Sequence, residues 1–97
     1  MAQQVFKISA TTATELIDLG SQISTINSMT IANIDSSNAA SVDLYLKNGS
    51  GTDYYIFKNL SIPKGQTLKL EKNEVSFDNR VFNLYIYSTV TVDVIIN

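Results

Sequence analysis

The chain has no cysteine, no histidine and no tryptophan, and a single proline among 97 residues. Without cysteine there is no disulfide, and without cysteine or histidine the usual structural zinc ligand sets are excluded. The same gap removes Ser-His-Asp and Cys-His nucleophile arrangements and histidine general-base chemistry. Charge is scarce as well: 7 basic and 9 acidic side chains make 16% of the chain, well under the usual quarter. A net charge of −2 is a poor basis for nucleic-acid binding, where lysine and arginine must neutralise phosphates. No apolar run approaches the roughly 20 residues needed to span a bilayer, so no membrane partner is expected. The opening residues, Met1 to Lys7, lack a basic stretch followed by an apolar one, so no signal peptide is expected.

What is present favours strands. Isoleucine (11), valine (7) and threonine (9) supply β-branched side chains, joined by 5 tyrosines and 4 phenylalanines. Such residues suit a pleated, half-buried surface and lose rotamer freedom in a helix. Serine, threonine and asparagine total 29 residues, which makes the polar surface uncharged rather than ionic. At this length one domain, residues 1–97, is expected, with a single small core.

Period-2 alternation runs along much of the chain. Residues 5–9 read as a first short strand. Residues 15–19 fit either a strand or the opening of a helix capped by Thr12, and strand is favoured because no further helical turn follows. Residues 29–34 form a strand that ends at the polar cluster 35–38. In 41–47, Val42, Leu44 and Leu46 share one face, with Asp43, Tyr45 and Lys47 on the other. Glycines at 49 and 51 mark a loop, and 54–60 returns as the partner of a hairpin. Pro63 and Gly65 form a turn before the alternating strand 67–70. Residues 75–77 suggest a short strand or edge. Asp78 and Asn79 start a turn, and 83–88 and 89–96 are the last two strands. Seven to eight short strands with short polar connections predict an all-β, antiparallel β-sandwich.

Catalytic constellations are thin. Glu71 with Glu74 and Asp35 with Asp43 are the carboxylate neighbours, and both pairs border turns, where solvated or turn-forming acids are the ordinary reading. Asn48, Ser50 and Asp53 lack the dense acidic set of a calcium loop, so no metal or cofactor is expected, and no enzyme activity. Asn48-Gly49-Ser50 and Asn59-Leu60-Ser61 match a glycosylation sequon, an unremarkable match in a chain so rich in serine and asparagine. Tyr45, Tyr85 and Tyr87 alternate away from apolar core positions and should project outward. Exposed tyrosine, with a flat apolar body and a polar tip, is favoured in protein interfaces. These three are the candidate interface residues; the alternative reading is that a second sheet or a long loop covers them.

Two segments, 29–46 and 55–70, carry a family resemblance. An asparagine, Asn33, ends the early strand. Ile62-Pro63-Lys64-Gly65-Gln66-Thr67-Leu68 then follows the I-P-x-G-x-x-L pattern between two later strands. This order resembles small β-sandwich virion structural proteins of tailed bacteriophages. Where members continue with an acidic-glycine turn, this chain has Phe77-Asp78-Asn79-Arg80. The resemblance implies a non-enzymatic virion protein, foremost a capsid decoration or cement subunit bound to the major capsid protein or other virion proteins in repeated copies. It implies a neck or tail component as the alternative position, and a virion location after synthesis in the host cytoplasm. A carbohydrate-binding or adhesin module remains a separate reading, with Tyr54, Tyr55, Asn48 and Asp53 around one hairpin as its candidates.

Overall fold

A computed structural model describes residues 3–17, 26–75, 77, 78 and 80–97. Among them are eight strands: β1 (Gln4–Ile8), β2 (Thr14–Ile17), β3 (Ser28–Asn33), β4 (Ala40–Lys47), β5 (Asp53–Ile62), β6 (Thr67–Glu71), β7 (Asn83–Ser88) and β8 (Val92–Ile96). A one-turn helix, α1 (Lys72–Val75), follows β6. The strands make two four-stranded sheets, β1-β8-β3-β6 and β2-β7-β4-β5. Every pairing is antiparallel, as short connections require.

The two sheets share one core because each strand alternates in burial. Phe6, Val94, Ile31 and Leu68 stand in register across the first sheet. Leu84, Leu46 and Tyr54 mark the corresponding row at one end of the second. Ile31, Val42, Leu44, Leu84, Ile86, Val92 and Val94 are all fully buried. Only β4 and β5 form a hairpin within one sheet; every other consecutive pair of strands crosses from one sheet to the other. That order, with the chain wound back and forth between two four-stranded layers, is the jelly-roll arrangement.

Two expectations need correction. Val75, expected in a short strand or edge with residues 76 and 77, instead ends α1 and is fully buried against the core, and Phe77 belongs to no strand; Ser76 lies outside the described residues. Glu74 turns back and its Oε1 accepts the Glu71 N–H at 2.7 Å, which favours a helical turn over an extended edge. The last strand begins at Val92 rather than at residue 89. Thr89 instead brackets β4, donating its N–H to the Ser41 carbonyl at 3.1 Å and accepting the Ser41 N–H on Oγ1 at 3.0 Å. The reading of 15–19 as strand holds for β2 through Ile17; Asp18 and Leu19 lie outside the described residues.

Asn33 and the Pro63–Gly65 turn, far apart in sequence, meet in space. Asn33 is 2% exposed. Its Nδ2 donates to the carbonyls of Ile62 (2.9 Å) and Asn38 (3.0 Å), and its Oδ1 accepts the Asp35 N–H at 2.9 Å. Its backbone accepts from Gly65 at 3.0 Å and donates to the Gln66 carbonyl at 2.9 Å. Gly65 has φ +73°, a conformation glycine adopts without penalty. The turn carries the chain from β5 in one sheet to β6 in the other, so a single buried amide fastens the crossing. A buried amide with all these partners is stabilising, whereas the same amide left unpaired would be costly.

Candidate interface: a tyrosine row on one outer face

Register places four residues in one line across the outer face of the second sheet. Glu15 of β2 faces Tyr85 of β7, Tyr85 faces Tyr45 of β4, and Tyr45 faces Tyr55 of β5. The Tyr45 ring lies 5.6 Å from Tyr85, nearly parallel at 16°, and 5.2 Å from Tyr55 at 41°. Cations close both ends of the aromatic run. Lys58 Nζ sits 4.6 Å from the Tyr55 centroid and Lys47 Nζ 5.4 Å from that of Tyr85, both within cation–π range. Lys47 is also paired with Asp53 at 3.1 Å, and that hydrogen bond raises its pKa above the ordinary value and keeps it cationic. Asn83 donates its side-chain amide to Glu15 beside the row.

The row depends on irregularity in β5. An unbroken ladder running on from Ala40↔Ile62 and Val42↔Leu60 would set Tyr45 against Phe57. Instead β5 advances three residues while β4 advances two, and then two while β4 advances one, so that Leu44 meets Phe57 and Tyr45 meets Tyr55. Each extra residue is a β-bulge, which re-aims side chains and twists the strand. Asn59, in the first bulge, has φ +56°, and its N–H is held by Asp43 Oδ1 at 2.7 Å. Asp43 thus has a structural task, and it stands opposite Tyr87 in the neighbouring row.

The three expected interface residues fare differently. Tyr85 and Tyr87 are half-buried on the outer face. Tyr45 points outward, as expected, and stays outside the core cluster. It is nevertheless only 7% exposed, because Tyr55 and Tyr85 cover its two faces. The expectation of an exposed Tyr45 is corrected accordingly. Burial is also what raises the pKa of its phenol, with Asp53 adding to the effect. Tyr55, Lys47 and Lys58 belong to the site and were not singled out for it by alternation alone.

The alternative hairpin site does not assemble. Tyr54 and Tyr55 are consecutive in a strand and so face opposite sides. Tyr54 packs edge-on to Phe82 at 5.9 Å. Asn48 is engaged within its own loop, its Oδ1 accepting the Ser50 and Thr52 N–H groups, and Asp53 is held by Lys47.

The carboxylate neighbours have local duties too. Asp35 Oδ1 accepts the N–H groups of Ser37 and Asn38 at 2.7 and 2.8 Å, which holds its pKa below the ordinary carboxylate value. No group of three or more Asp and Glu side chains converges among the described residues.

One further surface stands out. Val5, on the sheet edge, is 69% exposed. It borders a shallow depression of about 330 Å³ together with Phe6, Lys7, Asp93, Val94 and Ile95. Lys7 is drawn onto Asp93 at 2.7 Å. The register of β1 on β8 is unbroken, in contrast to the bulged edge strands β2 and β5 of the other sheet.

No protein-family model matches the chain, and no curated protein matches it. The functional reading therefore rests on the fold and on these two surfaces.

Proposed function

We propose that the protein is a non-enzymatic structural subunit of a virus particle, acting as a capsid decoration or cement subunit on the assembled shell. The observation that carries this reading is the tyrosine row. It is a rigid aromatic face whose rings are fixed against one another, with two lysines at its ends and Tyr87 alongside. Aromatic residues held in place before contact lose little freedom on docking, which favours an interface. A decoration subunit occurs in many copies, so individually modest contacts are sufficient when repeated. The jelly-roll order adds support by analogy of architecture: that arrangement recurs in viral capsid and lectin domains, although a fold alone does not carry a function. Val5 on the unbulged β1 edge offers a lateral contact between neighbouring copies, because an unprotected edge can accept another strand.

The test is immunogold labelling of intact particles from the source, combined with co-sedimentation of the purified chain on shells. Gold over the whole shell, with binding weakened by Tyr85→Ala or Lys58→Glu, is the expected result. Gold confined to one vertex or to the tail would move the protein to the neck or tail. Absence of labelling on both intact and opened particles would overturn the proposal.

A further inference from the structure

Asn48 and Gly49 close the β4–β5 hairpin and take part in neither the core nor the tyrosine row. Asn48 Oδ1 accepts the backbone N–H groups of Ser50 at 2.9 Å and Thr52 at 3.1 Å. Its backbone N–H donates to the Thr52 carbonyl at 3.1 Å, and its carbonyl accepts from Gly51 at 3.0 Å. Gly49 is exposed, and a Cβ placed on it would meet nothing within 4 Å. The peptide nitrogen that follows Asn48 in the chain therefore belongs to a residue with open space in place of a side chain. The oxygen that would gain charge under attack already faces two fixed N–H donors. Donors aimed in advance at such an oxygen stabilise the tetrahedral intermediate of acyl transfer.

We propose that Asn48 is a site of self-catalysed deamidation. The Gly49 backbone nitrogen, losing its proton to solvent base, forms a bond to the Asn48 side-chain carbonyl carbon. The carbon–Nδ2 bond then breaks, and ammonia leaves with a proton taken from water. The cyclic imide that results is opened by water at either carbonyl, which gives aspartate or isoaspartate at position 48. Of the asparagines in the chain, only Asn48 precedes a glycine, the residue whose missing side chain leaves the nitrogen most accessible.

The product matters to the hairpin. Aspartate at 48 keeps an oxygen for both N–H donors and adds a negative charge beside Lys47 and Asp53. Isoaspartate also lengthens the backbone by one methylene, directly after the last pair of the ladder, Lys47↔Asp53. Lys47 is the cation at the Tyr85 end of the row, so ageing of the loop reaches that face. The inference does not depend on the virion reading.

The folded protein is incubated at mildly alkaline pH and its peptides are resolved by mass spectrometry with separation of aspartate from isoaspartate. Conversion is expected at Asn48 ahead of every other asparagine, and at least as fast as in the urea-unfolded chain. Gly49→Ala is the clean control, since Gly49 has an ordinary φ and open space around its Cα; it should slow conversion severalfold while leaving the melting temperature at or slightly above that of the parent. Conversion in the unfolded chain but not in the folded one would overturn the proposal, because the loop would then hold the carbon away from the nitrogen. Equal rates with and without Gly49→Ala would overturn it as well.

Discussion

Replacing Asn33 tests whether one buried amide fastens the crossing between the sheets. In Asn33→Leu the shape is nearly kept, but the Ile62 and Asn38 carbonyls and the Asp35 N–H lose their partner. The Ile62 carbonyl is the buried one, and stranding such a group costs about 1–3 kcal/mol. The two half-buried bonds add about 0.5–1.5 kcal/mol each. A total of ~4 kcal/mol lowers the melting temperature of a domain this size by roughly 16–32 °C. Asn33→Asp sharpens the test, because it keeps the acceptor for Asp35 but presents a carboxylate oxygen to two carbonyl oxygens. Burial and those acceptors raise the folded-state pKa of the introduced carboxyl above its unfolded value. The folded form then binds the proton more tightly, so the variant's deficit should shrink as the pH falls through the folded pKa and should be fullest at neutral pH. Calorimetric melts of parent and variants at neutral and mildly acidic pH provide the measurement. If Asn33→Leu melts within about 3 °C of the parent, less than a single such hydrogen bond is worth, the clamp is not a principal support of the fold. A pH-independent deficit in Asn33→Asp would refute the electrostatic part of the reasoning.

Tyr45→Ala should cost about 3 kcal/mol in urea unfolding, because a nearly buried ring clamped on both faces is lost, whereas Tyr87→Ala should cost less than about 1 kcal/mol. Thr11 has φ +56°, a conformation that strains a β-branched residue, so Thr11→Gly should stabilise by about 1 kcal/mol in the same assay. Asp35 and Asp78 are both held below the ordinary value, Asp35 by backbone N–H groups and Asp78 chiefly by the Arg80 side chain. Their contribution is thus complete above the unfolded pKa of about 3.8 and is lost as pH falls through the lower folded values. Asp35→Asn should flatten the acid limb of the urea midpoint against pH; an unchanged limb would show that the loop bonds do not discriminate between protonation states.

Alternation made the strands and their buried faces legible, since Val42, Leu44, Leu84 and Ile86 lie in the core where period 2 puts them. It also gave the outward direction of Tyr45, Tyr85 and Tyr87. It could not give the cover on Tyr45, because that depends on which residue of β5 stands opposite. Two bulges decide the matter, and their cause is distributed over Asn59, Asp43 and the hairpin loop rather than written in any local pattern. Val75 was misplaced for a related reason: one buried β-branched residue fits a strand or the inner side of a single helical turn equally well. The bond from Glu71 to Glu74 that selects the turn spans only three residues and leaves no periodicity behind it. Asn33 and Pro63 were visible as separate signals, but their meeting was not, because turn chemistry says where a chain reverses and not what it reverses onto.

The strand order also bears on how the chain comes to be folded. β7 and β8 follow one another closely, yet each takes an interior place in a different sheet: β7 between β2 and β4, β8 between β1 and β3. During synthesis β1 and β2 are made well before their partners, β8 and β7. Until residues 83–97 have left the ribosome, neither layer can close and both early strands show unpaired backbone to the cell. Such non-local pairing places folding toward the slow, millisecond-to-second end of the range for small domains and leaves an aggregation-prone interval before it. Emergence of residues 83–97, rather than progressive assembly from β1 onward, is then the event that sets folding in motion.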